Sequence, residues 1–322
     1  MTSILITGGA GFIGQELAAV LAQQSDISIT LTDLTQPPIP PTPAGQGTNV
    51  TFNCVASDLT DPASIATIFS QRYSAVYTLH GLMSGGSEAN LELGLRVNLD
   101  SHRQILDFLR KNHPGTKVIF PSSLAVYGPT GPGEIVSELT CPIPQSSYGA
   151  EKLIVETLLN DYSRRGLLDG RVVRLPTVVV RPGAPSAAAS SFASGIIREP
   201  LRNQPSTLPV PLDLEMWVAS PATVVKNLIA IKDVPAEQFG LWRTINLPGI
   251  TVTVQEMLDA LEAVGGKEKR ALVREERDEK IEMIVCSWPS SMDTSRAQSL
   301  GLVADVPILE TVKSFAKSEG LL

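Results

Sequence analysis

The sequence predicts an α/β fold: a doubly wound, mostly parallel sheet with helices on both faces, joined to a smaller mixed α/β lobe. Three observations predict it. Short apolar runs alternate with longer amphipathic stretches through the first half of the chain, the rhythm of strand–helix units that pair in parallel. A glycine-rich segment, Thr7 to Gly14, joins the first apolar run to the first amphipathic one. After Val180 the alternation weakens into a Pro/Ala/Gly-rich run, Arg181–Ala188, which marks a change of architecture.

Taken in order, Ile4–Thr7 reads as a strand, Phe12–Gln24 as a helix and Ile27–Thr32 as a second strand. Pro37, Pro38, Pro40, Pro41 and Pro43 follow, a density that excludes helix and central strand because proline has no N–H to donate. Further strands are expected at Val50–Val55, Ala75–Leu79, Lys117–Phe120 and Arg171–Val180, with helices at Pro62–Phe69, Leu91–Asn112 and Tyr148–Arg165. Later, Ala189–Arg198 and Thr253–Val264 read as helices, and the charge-rich Gly266–Arg277 as a solvated surface. Trp217–Ile231 and Arg243–Leu247 are candidates to return to the main sheet. On this division residues 1–176 form the sheet domain, with segments near 221–246 rejoining it. Residues 177–322 form the lobe at the sheet's carboxyl edge, where open α/β folds bind ligands.

Bulk properties narrow the function. With 322 residues, 43% hydrophobic and 18% charged, the composition is that of a globular chain. A net charge of −7 carries no footprint of nucleic-acid binding. Cys54, Cys141 and Cys286 are odd in number and far apart, which suggests reduced thiols in a cytoplasmic setting. No signal-peptide pattern or membrane-length apolar run is evident, so neither a membrane nor a nucleic acid is expected as a partner. His80, His102 and His113 lack metal-ligand spacing, and no metal is expected; His80 reads as a hydrogen-bonded structural histidine.

Gly8, Gly11 and Gly14 allow a tight turn, close approach of backbone to a pyrophosphate, and close packing of helix on strand. The helix that follows offers free N–H groups to the phosphates. That is the mark of a Rossmann-type dinucleotide site when it sits in the first strand–helix unit, as here. Phe12 and Ile13 belong to the same segment. Asp33, nineteen residues beyond Gly14, can accept hydrogen bonds from ribose hydroxyls and repel a 2′-phosphate, which favours NAD over NADP. Asp58 and Leu59 follow the third strand; Asp58 is either an adenine-side contact or a helix N-cap. Gly81, after the fourth strand, is a further candidate contact.

Tyr148 and Lys152 lie four residues apart at the start of a helical pattern, on one face. A phenol titrates near pH 10 unless an adjacent ammonium stabilises the phenolate, so this pair can make a base. Ser123, at the end of a buried strand in Ser122-Ser123-Leu124-Ala125-Val126-Tyr127-Gly128, can donate a hydrogen bond to a substrate oxygen whose charge changes.

Together, T-G-x-x-G-x-x-G, S-S-x-x-V-Y-G and Y-x-x-x-K resemble the extended short-chain dehydrogenase/reductase family over nearly the whole chain. The resemblance implies Ser123 as catalytic serine, Tyr148 as general base and Lys152 as its partner, with Asn98 ordering the active-site helix and a water. It also implies nicotinamide-side contacts at Pro176 and Val178, and a homodimer through Leu91–Asn112 and Tyr148–Arg165. Nucleotide-sugar epimerases and dehydratases of that family carry an asparagine where this chain has Thr177, and Arg181 follows as an extra residue, a departure from the sugar-nucleotide pattern. Ser147–Leu201, most tellingly from Arg174 onward, and Asn246–Val254 instead resemble the D-erythronate dehydrogenase family, which implies NAD-linked oxidation of the C2 hydroxyl of a four-carbon sugar acid.

Such a substrate needs a carboxylate anchor. Arg181 is one reading, with a surface salt bridge as the other. Ser190 and Ser191 are either helix caps or ligands, and Ser84, in Met83-Ser84-Gly85-Gly86, lines the pocket or fills a flexible loop. Ser122 and Thr177 complete the candidate substrate contacts, and Trp217 reads as core. Epimerisation with bound NAD, oxidation of L-threonine and NAD sensing without catalysis stand as the alternatives.

Overall fold

A computed structural model describes residues 1–41, 49–131 and 133–321; Pro43 lies outside them. The strands are β1 (Thr2–Thr7), β2 (Ile27–Asp33), β3 (Val50–Ala56), β4 (Ala75–Thr78), β5 (Lys117–Ser123) and β6 (Asp169–Leu175). They continue as β7 (Thr177–Val178), β8 (Ser206–Leu208), β9 (Glu215–Ala219), β10 (Thr244–Asn246), β11 (Ile250–Thr253) and β12 (Val273–Glu275). The main sheet is seven-stranded and parallel in the order β10-β6-β5-β4-β1-β2-β3, a Rossmann-type arrangement.

Helices α1 (Phe12–Leu21), α2 (Pro62–Ile68), α3 (Ser84–Ala89), α4 (Leu91–Gly94), α5 (Ser101–Asn112) and α6 (Ser147–Arg164) belong to the first half. Later come α7 (Ser191–Leu201), α8 (Pro221–Asp233) and α9 (Val254–Gly265). Because alternate strand residues face opposite ways, β1 serves two cores. Ile4 and Ile6 pack with Leu17 of α1 and Val224, Leu228 and Ile231 of α8. Leu5 packs with Ile65 of α2, Leu109 of α5 and Leu159 of α6.

The chain leaves the main sheet at Pro176, so the strand expected over Arg171–Val180 is two. Proline cannot donate to the ladder, and Thr177–Val178 pair instead with β9 in a three-stranded sheet ordered β11-β9-β7. β8 and β12 form a third, two-stranded sheet, so part of the charge-rich Gly266–Arg277 stretch is strand and not solvated surface alone. The lobe has its own core, including Phe192 and Ile196 of α7, Met216 and Val218 of β9, and Met257 and Leu261 of α9.

Two further differences bear on the site. The helix expected over Leu91–Asn112 contains a π-helical turn at Leu95–Asp100, and such turns re-aim the residues they carry; Asn98 sits in it, fully buried. Ser84-Gly85-Gly86 is not a flexible loop but the first turn of α3.

Candidate active site

Strand order reverses between β1 and β4, whose next neighbours lie on opposite sides. Loops leaving the carboxyl ends of those strands diverge and open a crevice. A cleft of about 520 Å³ fills it, lined by Gly8, Gly11, Phe12, Ile13, Gly14, Asp33, Asp58, Leu59 and Gly81 among others. Gly11 caps α1 without a side-chain hydrogen bond, and no acidic residue occupies the first turn, so its N–H groups remain available to an anion. A Cβ at Gly14 would collide with the carbonyl oxygen of Gly8, the close contact that lets α1 start against the turn. Asp33 ends β2 with Oδ2 accepting from Ala10 N at 3.1 Å and Oδ1 from Leu34 N at 2.8 Å. Each oxygen keeps capacity for a ribose hydroxyl. These residues fit a dinucleotide without a 2′-phosphate. Gly14→Ala is accordingly expected to weaken NADH binding by roughly tenfold or more, since α1 must shift from the phosphates; a fluorescence titration with NADH checks it.

Asp58 is not a helix cap. Its Oδ1 accepts from Thr60 N and Thr60 Oγ1 at 2.9 and 2.8 Å, and the N-cap of α2 is Asp61, which accepts from Ala63 N and Ser64 N. His80 also lines the cleft. Its ring nitrogens lie 2.6 Å from Thr7 Oγ1 and 2.9 Å from Ser101 Oγ, and its ring stacks on His102 at 4.0 Å. Burial, reinforced by Lys152, pushes its pKa down to about 3, so it is a neutral spacer.

A second cavity of about 180 Å³ adjoins the first, and Ile13, Leu79, Gly81, Met83 and Arg181 line both. Ser84, Ser122, Ser123, Tyr148, Lys152, Pro176, Thr177 and Val178 line it too. Ser123 closes β5, its Oγ accepting from Ala125 N at 3.1 Å. Ser146 caps α6 by accepting from Gly149 N at 3.2 Å. Gly149 has no room for a Cβ, which would strike the carbonyl oxygen of Ala125. The first turn of α6 therefore docks directly on the turn after Ser123, and that contact delivers Tyr148 to the cavity.

One helical turn on, buried Lys152 donates from Nζ to Pro121 O at 3.0 Å and lies 5.6 Å from the centroid of the Tyr148 ring. Burial pulls the Lys152 pKa down to about 8, with Glu151 and Glu156 acting in opposition. Burial and then Glu151 push Tyr148 up to about 12, while Arg181 and a hydrogen bond with Ser123 act the other way. A phenol and an ammonium so placed can exchange a proton with a hydroxyl bound at Ser123.

Asn98 lines neither cavity. Its Oδ1 accepts from Leu82 N at 2.7 Å, and its Nδ2 donates to Leu82 O and to Glu151 Oε2 at 2.9 and 2.7 Å. It ties the loop after β4 to α6.

Arg181 forms no ion pair among the described residues, which removes the salt-bridge reading. Its backbone N donates to Ser194 Oγ at 3.0 Å and its carbonyl accepts from Arg198 Nη1 at 2.7 Å. Burial and the neighbouring Arg198 lower its pKa. The guanidinium is thus a cation bordering both cavities without a protein carboxylate. Ser84 Oγ accepts from Ala189 N at 3.0 Å and pins the lobe to α3. Ser190 heads α7 without a side-chain cap bond and faces the smaller cavity, whereas Ser191 Oγ accepts from Ser186 N at 3.0 Å. Trp217 is buried among Leu124, Val126 and Tyr127. Sequence reasoning missed Arg96 and Arg198 in the larger cleft and Trp288 in the smaller. No local motif surrounds any of them.

The model of the NAD dependent epimerase/dehydratase family matches residues 4–233. A D-erythronate dehydrogenase from Cupriavidus necator is 41% identical, over 99% of this chain and 99% of that protein. A D-erythronate dehydrogenase from Haemophilus influenzae is 39% identical, over 97% and 98%. The crystal structure of a nucleoside-diphosphate-sugar epimerase from Agrobacterium tumefaciens superposes with a TM-score of 0.89 at 36% identity, covering 99% of this chain and 94% of that one. With its parallel sheet, its cleft at the strand-order reversal and these relatives, the chain belongs to the NAD dependent epimerase/dehydratase family.

Proposed function

We propose that this enzyme oxidises the C2 hydroxyl of a small sugar acid, D-erythronate to 2-oxo-D-erythronate, with NAD as hydride acceptor. The observation that carries the reading is Arg181, without an ion-pair partner among the described residues and beside Tyr148 in a cavity of about 180 Å³. That is smaller than the roughly 300–1,000 Å³ of sites for drug-sized ligands. It suits a four-carbon acid better than a nucleotide sugar. Two relatives named D-erythronate dehydrogenase over nearly their full length support the same choice.

In this reading Gly8, Gly11 and Gly14 with the start of α1 hold the pyrophosphate, Asp33 the adenosine ribose, and Asp58, Leu59 and Gly81 the remainder of the nucleotide. Pro176 and Val178 flank the nicotinamide side, and Lys152 holds its ribose. Bound NAD supplies the hydride acceptor and a positive charge near the phenol. Arg181 clamps the substrate carboxylate, aided by Ser84, Ser122 and Thr177. Ser123 hydrogen-bonds to the C2 oxygen, and Tyr148 takes its proton. Lys152 holds the phenolate that accepts it.

Incubating the protein with C3–C6 sugar acids, L-threonine and UDP-sugars, each with NAD⁺ or NADP⁺, tests the reading. NADH should form with D-erythronate and NAD⁺. Turnover of a UDP-sugar without net NADH, or faster oxidation of L-threonine, would overturn it. Arg181→Leu is expected to raise KM for the acid about 10²-fold with a smaller change in kcat, as loss of charge-assisted hydrogen bonds requires. Arg181→Lys should recover part of it. We further infer a homodimer, supported by exposed Leu91 and Ile154 on α4 and α6. A cytoplasmic location is supported by three free thiols, two of them exposed.

A further inference from the structure

Among the described residues, six lysine, arginine, aspartate or glutamate side chains are buried: Glu151, Lys152, Glu156, Arg171, Arg174 and Arg198. Four of them stand in ion pairs, Arg174 with Glu156, Arg171 with Asp169 and Arg198 with Glu199. Glu151 and Lys152 do not, for the partners of both among the described residues are uncharged. They are opposite in charge and consecutive on α6. Taking a charge out of water is strongly unfavourable unless another compensates it.

Two other elements grip the Glu151 carboxylate. Its Oε2 accepts from Asn98 Nδ2 of the π-helical turn at 2.7 Å and from Ser87 Oγ of α3 at 3.1 Å. Its Oε1 is buried with no donor among the described residues and faces Gly94 of α4, where a Cβ would collide with it. Burial pushes the Glu151 pKa up and the exposed Glu88 adds to that, while Asn98, Ser87 and Lys152 act the other way.

Lys152 is as short of charged partners. Its Nζ donates to Pro121 O at 3.0 Å and lies 4.7 Å from the centroid of the Phe120 ring. His80 and His102, which bear on it, are held neutral by burial, and the Glu156 carboxylate is already bound to Arg174. A Cβ on Gly81 would lie 3.0 Å from Asn98 Oδ1 and 3.9 Å from Lys152 Nζ. The amide that grips Glu151 and the ammonium thus sit against the same glycine, one that lines both cavities.

We propose that Glu151 is a positioning residue for proton transfer: held by Asn98 and Ser87, its carboxylate is the counter-charge that keeps the buried Lys152 protonated. The inference rests on the reading of Tyr148 and Lys152 given above and adds the group that sets the pH range over which they work. A nearby carboxylate favours an ammonium and disfavours a phenolate. Glu151 acts in both directions here, raising Lys152 together with Glu156 and raising Tyr148 against Arg181 and Ser123. Without it, both groups should lose their protons at lower pH.

The test is the pH dependence of kcat for D-erythronate, which should rise as Tyr148 loses its proton and level off as Lys152 loses its own. E151Q keeps an oxygen for Asn98 and Ser87 and removes the charge; thermal unfolding establishes that it folds. Both the rise and the levelling should move to lower pH by about half to one unit. E151D, which keeps the charge, should bring them most of the way back. S87A disturbs the same packing but leaves the charge, and both should stay within about 0.3 unit of the wild type. A uniform fall in E151Q with neither feature moved would overturn the proposal and leave Glu151 a structural residue, as would an equal shift in S87A. A second arm needs only the wild type: a buried counter-charge is little screened, so between about 0.05 and 0.5 M KCl the levelling should stay in place. Its movement to lower pH with salt would assign the counter-charge to the exposed Glu88 and overturn the proposal even if E151Q does not fold. If the wild type oxidises D-erythronate and E151Q keeps its profile, this inference alone fails. If the wild type oxidises none of the acids, the sugar-acid reading fails and takes this one with it.

Discussion

Replacing Tyr148 with phenylalanine is expected to lower kcat for sugar-acid oxidation by about 10²–10⁴-fold, the range typical of a lost general base, while NADH affinity stays within a factor of about two. The expectation follows from how the phenol is held. Desolvation and Glu151 drive its pKa up to about 12, so the cofactor-free protein at neutral pH holds the acid form, unable to take a proton. The Lys152 ammonium and the charge brought by oxidised NAD favour the phenolate, and each pKa unit they remove is worth about 1.4 kcal/mol of stabilisation of the base. Oxidation should therefore quicken as pH rises from about 6 to 8. Lys152 is itself pulled down to about 8 by burial, so its charge begins to be lost just as the phenolate gains, and the rise should flatten there. In Lys152→Met the acid limb should move to higher pH because the phenolate has lost its neighbour. Steady-state rates against pH for the wild type and both variants check this. Ordinary turnover by Tyr148→Phe would remove Tyr148 from the mechanism. The cofactor arm separates this from damage to the fold, because the glycine turn and Asp33 belong to other elements.

What was legible in the sequence was whatever the chemistry confines to a short segment. The dinucleotide turn uses backbone geometry, so Gly8, Gly11 and Gly14 declare it over seven residues, and Asp33 ends the next strand. Tyr148 and Lys152 share one helical turn, and Ser122–Gly128 is another local pattern. Residues that arrive through tertiary folding left no such trace. Trp288 and Arg198 come from the lobe, and only the packing of α7 and of the helix over Glu279–Val285 shows which cavity they border. The overlong strand at Arg171–Val180 has a physical origin: both sheets bury their strands, so the apolar run continues through Pro176 although the ladder changes partner there. The π-helical turn at Leu95–Asp100 was hidden for a similar reason, since one extra residue in a turn barely disturbs a hydrophobic period. Asp58 and Asp61 are three residues apart, and either could have capped α2; Pro62, well suited to the first helical position, favours the second.

The larger effect on stability is expected at Arg174, which is 1% exposed and paired with Glu156, fully buried. Its Nε lies 3.1 Å from Glu156 Oε1 and its Nη2 2.7 Å from Oε2, a two-pronged contact between β6 and α6, while Nη1 donates to Tyr127 Oη at 2.6 Å. Tyr127 Oη in turn donates to Asn246 Oδ1 at 2.8 Å, and Asn246 N to Glu138 Oε1 at 2.8 Å. One guanidinium so links β6, α6, the turn after Ser123 and the edge strand β10. Burial alone disfavours its charge, but Glu156 and Tyr127 outweigh that and hold its pKa above the ordinary value. Arg174→Met would strand a buried carboxylate, a change that typically destabilises by about 3–5 kcal/mol, and the thermal midpoint should fall by roughly 5–15 °C. Burying two charges is itself unfavourable, so the pair as a whole stabilises far less than its rupture suggests. The double variant Glu156→Leu with Arg174→Met should therefore unfold at a higher temperature than Arg174→Met alone, a coupling that scanning calorimetry of the two single variants and the double measures directly. Losses that simply add would mean that Arg174 acts through Tyr127 and Asn246 and not through Glu156. In that case Tyr127→Phe, which keeps the ring and removes the hydroxyl, should reproduce most of the Arg174→Met loss.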